Sequence, residues 1–153
     1  MEKAFMPRFE NREQLFDNQL EGLKWTVSHV FNGSAFYRKK FKASGVMPVD
    51  IKCLDDISKL PFTTGKDLKE GYPLPLLSVP EKDVVRIHAS SGTTGKRKVL
   101  SYTAKDLDIW FDMFARCYEM AGLTKEDRVQ IAVGYGVWTA GMGFQLGCER
   151  FGA

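Results

Sequence analysis

An α/β fold is what this 153-residue chain predicts, arranged as a helical amino-terminal region over residues 1–80 and a partial β-α-β-α sheet unit over residues 81–153. Three observations predict it. Val84 to Ala89 alternates and is β-branched, and Lys98 to Tyr102 reads as a second strand after a glycine-rich turn. Thr103 can then cap a helix that carries Leu107, Trp110, Phe111, Phe114, Tyr118 and Ala121 on one face before Gly122 ends it. Asp127 to Val133 reads as a buried strand, Gly134-Tyr135-Gly136 as a turn and Thr139 to Phe151 as a helix, which gives the alternation typical of α/β proteins.

The earlier elements follow from local signals. Asn11, with Gln14 three residues on, resembles a capping box. Apolar residues from Leu15 to Phe31 then recur at helical spacing, so a helix is expected from Arg12 to Phe31. Asn32-Gly33 stops it, Ser34 can cap a second helix through Phe41, and Ser44-Gly45 closes that one. Between Val46 and Pro80 stand all but one of the prolines, which suits a segment wrapped over a core rather than a regular layer. Within it, Thr64 can cap a turn with Asp67 at the third position. Gly152-Ala153 closes the chain directly after a helix, where a parallel sheet would return to a neighbouring strand. The chain is therefore expected to be a portion of a longer protein, a complete small domain being the alternative.

Bulk properties exclude several classes. With 44% hydrophobic and 27% charged residues the composition is globular, and a net charge of +3 from 22 basic and 19 acidic residues gives no overall field for nucleic acid or an anionic membrane. The densest basic cluster, Arg38-Lys39-Lys40 with Lys42, is read as a solvated helix face. Cys53, Cys117 and Cys148 have no spacing suited to metal or to a disulfide framework, so no metal site is assigned. The charged start lacks the apolar run of a secretory signal and no stretch is long enough to span a bilayer, so the cytoplasm is the expected compartment.

Chemistry concentrates between the two expected strands, in Ser90-Ser91-Gly92-Thr93-Thr94-Gly95-Lys96-Arg97-Lys98. Glycine lets backbone N–H groups approach an anion, the four hydroxyls add donors, and the three cations oppose a polyphosphate. A specified six-residue string of this kind arises by chance in roughly one chain of this size in tens of thousands, so a solvated hairpin turn is the poorer account. It is not a Walker loop, because Gly92 and Gly95 are too close together and Arg97 follows Lys96. Tyr135, Gly136, Trp138 and Gly141 follow the expected strand at the end where α/β proteins place ligands, with core packing as the alternative for Trp138 and Tyr135 and close helix packing for Gly141 and Gly143. His88, just before the loop, is read as structural.

Ser90 to Lys98 resembles the Ser-Gly-Thr-Thr-Gly-x-Pro-Lys loop of the adenylate-forming superfamily, with Arg97 in the position of the proline. Phe36-Tyr37-Arg38, Leu60-Pro61-Phe62-Thr63-Thr64, Asp67-Leu68, Tyr72-Pro73, Tyr102-Thr103, Lys105-Asp106-Leu107 and Gly134-Tyr135-Gly136 resemble one branch, the phenylacetate-CoA ligase-like enzymes. The resemblance implies the start of a large AMP-binding α/β domain, with ATP held by Ser90, Ser91, Gly92, Thr93, Thr94, Gly95, Lys96 and Lys98. It also implies a small-molecule carboxylate, aryl or otherwise, bordered by Tyr135, Gly136, Trp138 and Gly141, and coenzyme A as acceptor. Mg2+ ligands and a lid lysine belong to motifs that do not occur in these residues, so no catalytic residue is assigned and the chain alone is expected to be inactive. No nucleic-acid or membrane partner is implied, and a homodimer is allowed. The alternatives are an adenylating relative that does not use coenzyme A, and a non-enzymatic binding or assembly module.

Overall fold

The computed structural model describes residues 4–153 apart from residues 71, 75, 93, 94 and 96. It comprises two compact units, Arg8–Glu81 and Lys82–Ala153, the second including residues 4–7.

In the first unit, helix α1 (Arg12–Gly33) begins where the Asn11 side chain accepts the Gln14 amide at 2.8 Å. The Gln14 side chain reaches one residue further back than a standard capping box, accepting the Glu10 amide at 2.7 Å. Ser34, almost fully buried, ends α1 through its amide and opens α2 (Ala35–Ala43) through its hydroxyl. The basic cluster on α2 has specific work besides facing solvent. Arg38 donates to the carbonyls of Phe31 and Asn32, the orphan acceptors at the end of α1, and Lys40 pairs with Asp67 at 2.7 Å. Val27, Phe41 and Ile51 form the core, with Leu23, Val30, Phe31, Tyr37 and Leu60 around it.

The proline-rich stretch wraps this core through short 3-10 turns at Pro48–Asp50 and Leu54–Lys59, followed by the single turn α3 (Asp67–Glu70). Asp67 accepts both the amide and the hydroxyl of Thr64, as the expected cap requires. Gly33 is where the wrapping is tightest, since a Cβ there would stand 1.9 Å from the Ser78 carbonyl oxygen.

In the second unit, β1 (Val84–Ala89) pairs antiparallel with β2 (Val99–Thr103), with a register irregularity between Val84 and Arg86. Thr103 caps α4 (Ala104–Met120) in a capping box with Asp106. Its apolar face is nearly the expected one, except that Ala121 is exposed and Ala115 is fully buried. The last helix, α5 (Thr139–Phe151), ends on Gly152 in the left-handed conformation. It lies against α4 through Gly143 and Gly147, whose missing side chains admit Trp110 and Phe114. Phe5 and Met6 donate their amides to Glu119, Arg116 donates to the Phe5 carbonyl, and the Phe5 ring meets Phe151 at 6.1 Å.

The strand expected over Asp127–Val133 is absent, and the only ladder among the described residues is β1–β2. The period-two pattern survives, with Val129, Ile131 and Val133 half-buried and Gln130 and Ala132 exposed. A strand needs a neighbour to take its N–H and C=O groups, and no described residue supplies one. A cavity of about 260 Å³ lies between this segment, Tyr118 and Phe144.

Candidate functional site

The antiparallel pairing of β1 and β2 makes residues 90–98 a closed loop with a defined neck. The Ser90 amide donates to the Lys98 carbonyl at 3.0 Å, and the Lys98 amide donates to the Ser90 hydroxyl oxygen at 3.0 Å. Ser90 thus closes the neck as well as carrying a hydroxyl proton that can still be donated. Beyond the neck, Gly95 donates to the Gly92 carbonyl at 3.1 Å, and both glycines have positive φ, 77° and 107°. Side chains other than glycine rarely adopt that geometry, so the turn depends on both. Arg97, in the position of the family's proline, has its stem over Gly92, whose Cβ would meet Arg97 Cγ at 2.7 Å. Ser90, Ser91, Gly95, Arg97 and Lys98 are exposed, while Thr93, Thr94 and Lys96 lie outside the described residues.

The second group of candidates is joined to the first by one bond. The amide of Ala89, at the end of β1, donates to the carbonyl of Val137 at 2.7 Å, which brings the segment from Tyr135 to Trp138 beside the loop's neck. Tyr135 and Trp138 are both about half exposed, at 52% and 49%, so their rings are available to a ligand rather than consumed by the core. Gly136 makes the turn at a φ of 113°. Gly141, in the first turn of α5, is a close-approach position, since a Cβ there would stand 2.8 Å from the Gly134 carbonyl oxygen and 3.4 Å from the Tyr135 ring. It therefore holds the turn that presents Tyr135, while Gly143 takes the helix-packing role.

Beneath the neck lies His88, 1% exposed, with its ring 4.9 Å from Tyr102 and 5.1 Å from Trp110. Burial, together with the Arg86 charge on the same strand, pushes its pKa below the ordinary histidine value, so the neutral ring is favoured. Burial likewise pushes the Tyr102 phenol up, aided by Asp106. The sequence marks His88 as structural but gives no sign that both ring nitrogens lack a partner among the described residues, because that depends on which residues β2 and α4 bring against it.

The hydroxyls, amides and cations of the loop suit phosphate oxygens, and the loop itself carries no carboxylate for a divalent metal. Among the described residues no group of three or more His, Cys, Asp or Glu could hold a metal ion, and the described cysteines are unpaired. No helix among them is long and apolar enough to cross a membrane.

The chain is 43% identical over 140 residues to a phenylacetate-coenzyme A ligase from Pseudomonas putida, and 47% identical over 135 residues to one from Escherichia coli strain K12. The alignments take in 92% and 88% of this chain. The chain belongs to the phenylacetate-CoA ligase-like branch of the adenylate-forming superfamily. A Thermus thermophilus phenylacetate-coenzyme A ligase is 39% identical over 97% of the chain. No family model matches the chain.

This ligase-like chain spans about a third of the length of these relatives, 32%, 31% and 34% respectively. Solved structures of a 2-hydroxyisobutyryl-CoA ligase share its adenylate-forming fold. One, with 2-HIB-AMP and CoA in the thioesterification state, superimposes with a TM-score of 0.83 at 24% identity over 94% of this chain and 31% of that one. An open conformation of the same ligase gives 0.81 at 20% identity over 99% of this chain and 39% of that one.

Proposed function

We propose that this chain is the phosphate-gripping part of an ATP-dependent acyl-CoA ligase that activates an aryl carboxylic acid of the phenylacetate class. The supporting observation is the Ala89 to Val137 bond, which sets an exposed hydroxyl- and lysine-bearing loop beside an exposed aromatic turn in a chain 39–47% identical to phenylacetate-coenzyme A ligases. In this reading Ser90 to Gly95, with Lys96 and Lys98, hold the triphosphate, while Tyr135 and Trp138 border the ring of the acid and Gly136 and Gly141 shape the turn that carries them.

In the reaction the carboxylate oxygen attacks the α-phosphorus of ATP and pyrophosphate departs. The thiol of coenzyme A, losing its proton, then attacks the acyl carbonyl and AMP departs. Mg2+, whose charge would offset that of the triphosphate, takes its protein ligands from outside these residues. Binding groups without those ligands position a nucleotide but leave the developing charge unmatched, so the chain alone binds ATP weakly and turns nothing over. Coenzyme A is preferred as acceptor because the structural neighbours include complexes with CoA.

Calorimetric titration of the chain with MgATP tests the grip. Saturable binding is expected in the wild type and its loss in a variant carrying Thr93→Ala, Thr94→Ala and Lys98→Ala. Equal binding by both, or by neither, refutes the assignment of the loop and favours a non-enzymatic module. Pyrophosphate release by the chain with ATP and phenylacetate refutes the claim of inactivity.

A further inference from the structure

His88 is a buried polar group that the proposed chemistry leaves unused. Both of its ring nitrogens lack a hydrogen-bonding partner among the described residues, as does the buried Nη1 of Arg86, two residues earlier on the same face of β1. Leaving such groups unpaired forfeits the hydrogen bonds they make in water, so a core that tolerates them gives up stability for a geometry. That geometry is specific. The imidazole is wedged against Tyr102 of β2 and Trp110 of α4, whose rings are themselves 5.7 Å apart, and Gly143 of α5 closes on Trp110 from behind. The next residue, Ala89, ties the aromatic turn to β1, and the one after it, Ser90, makes both neck bonds of the loop.

We propose that His88 is a positioning residue: its wedged ring sets the depth of β1, and through Ala89 and Ser90 it holds the loop's neck against the Tyr135–Trp138 turn, so that proton uptake by the ring loosens the loop's hold on phosphate. The groups facing it decide the sign. Arg86 on its own strand repels a second cation, Tyr102 on β2 is neutral, and the Trp110 rings on α4 offer no counter-charge. Asp106, at the start of α4, acts on Tyr102, and His88 gains no stabilisation of its charged form from a carboxylate. An imidazolium is therefore stable only if the ring leaves its slot, and Ala89 and Ser90 move with it. The role in ATP binding rests on the proposed function; the coupling of ring to neck does not.

The test is a titration of the chain from pH 7.5 to 5. Nuclear magnetic resonance follows the His88 ring, separated from His29 by the His29→Gln variant, and the amides of Ala89, Ser90 and Lys98. MgATP affinity is measured in parallel for wild type, His88→Phe and His88→Gln. The ratio of wild-type to variant affinity is the quantity read, because protonation of the phosphate itself is common to both. We expect the three amides to lose protection in step with the ring, and the ratio to fall by up to about tenfold per pH unit below the ring's midpoint. Amides that stay protected while the ring titrates overturn the proposal. So does an acid loss of equal size in His88→Phe or His88→Gln, or a ratio that rises in acid, which marks a cation facing phosphate directly. If MgATP binds at no pH, the proposed function falls and the wild-type amides still decide the coupling.

Discussion

Gly147→Ala sets helix propensity against packing, and the packing geometry decides the outcome. Alanine in place of glycine within a helix should add about 1 kcal/mol. The new Cβ, however, would stand 2.2 Å from Phe114 Cβ, 3.1 Å from its Cγ and 3.3 Å from its Cα. Carbon atoms rest at roughly 3.5–4.0 Å, so the contact falls short by about 1.5 Å. The obstructing atoms sit at or next to the α4 backbone, where no rotamer change relieves them, and α5 must move off α4. Overpacking of this sort costs roughly 1–3 kcal/mol, and with backbone in the way the upper part of that range applies. The net loss is then about 1–2 kcal/mol, or roughly 4–16 °C in Tm for a unit of this size. Gly22→Ala is the internal control. No atom of the described residues lies within 4 Å of its Cβ, so it should gain stability by up to about 1 kcal/mol. Thermal melting of the two variants beside the wild type reads both signs, and a Gly147→Ala chain that melts at or above the wild type refutes the close-packing account of α4 and α5.

Other outcomes follow from particular contacts. Thr103→Ala removes the α4 cap and should destabilise by about 1 kcal/mol in urea unfolding, whereas Thr103→Ser should not. The Lys40 ammonium and the Thr64 amide hold the Asp67 carboxyl down to about 2. Because this folded value lies below the unfolded one, the stability it contributes is present above pH 4 and lost between about pH 4 and 2. The gap in urea midpoint between wild type and Asp67→Asn should therefore be open at pH 6 and closed at pH 2. Gly141→Ala should disturb the Gly134–Tyr135 turn, seen as altered exposure of Tyr135 to iodination while the far-ultraviolet circular dichroism stays unchanged. Ser90→Ala removes the acceptor for the Lys98 amide, and that amide should exchange faster with solvent than in the wild type.

Features carried by residues three or four apart were legible without the fold. Asn11, Ser34, Thr64 and Thr103 all cap the turns their spacing marks, since a cap is complete within one turn of backbone. Burial was legible only on average. Ala121 and Ala115 are the same residue on one helix, yet Ala121 is exposed and Ala115 fully buried. Which of them meets neighbours depends on how α5 and the first residues of the chain cover α4. Asp127–Val133 carries a strand's alternation without a strand's bonds, because pairing is a property of two segments and only one is present among the described residues.

By itself, the sequence determined the helices and their caps, the two strands and the donor-rich, cationic character of Ser90 to Lys98, because each of these is complete within a few consecutive residues. Tertiary structure alone decided that the loop is closed at Ser90 and Lys98, that Ala89 fastens the Tyr135–Trp138 turn beside it, and that His88 is sealed below with no hydrogen-bonding partner among the described residues. Each of these is a contact between residues distant along the chain or against a neighbouring element. Local composition carries no term for such contacts, and only the folded backbone brings the groups within reach.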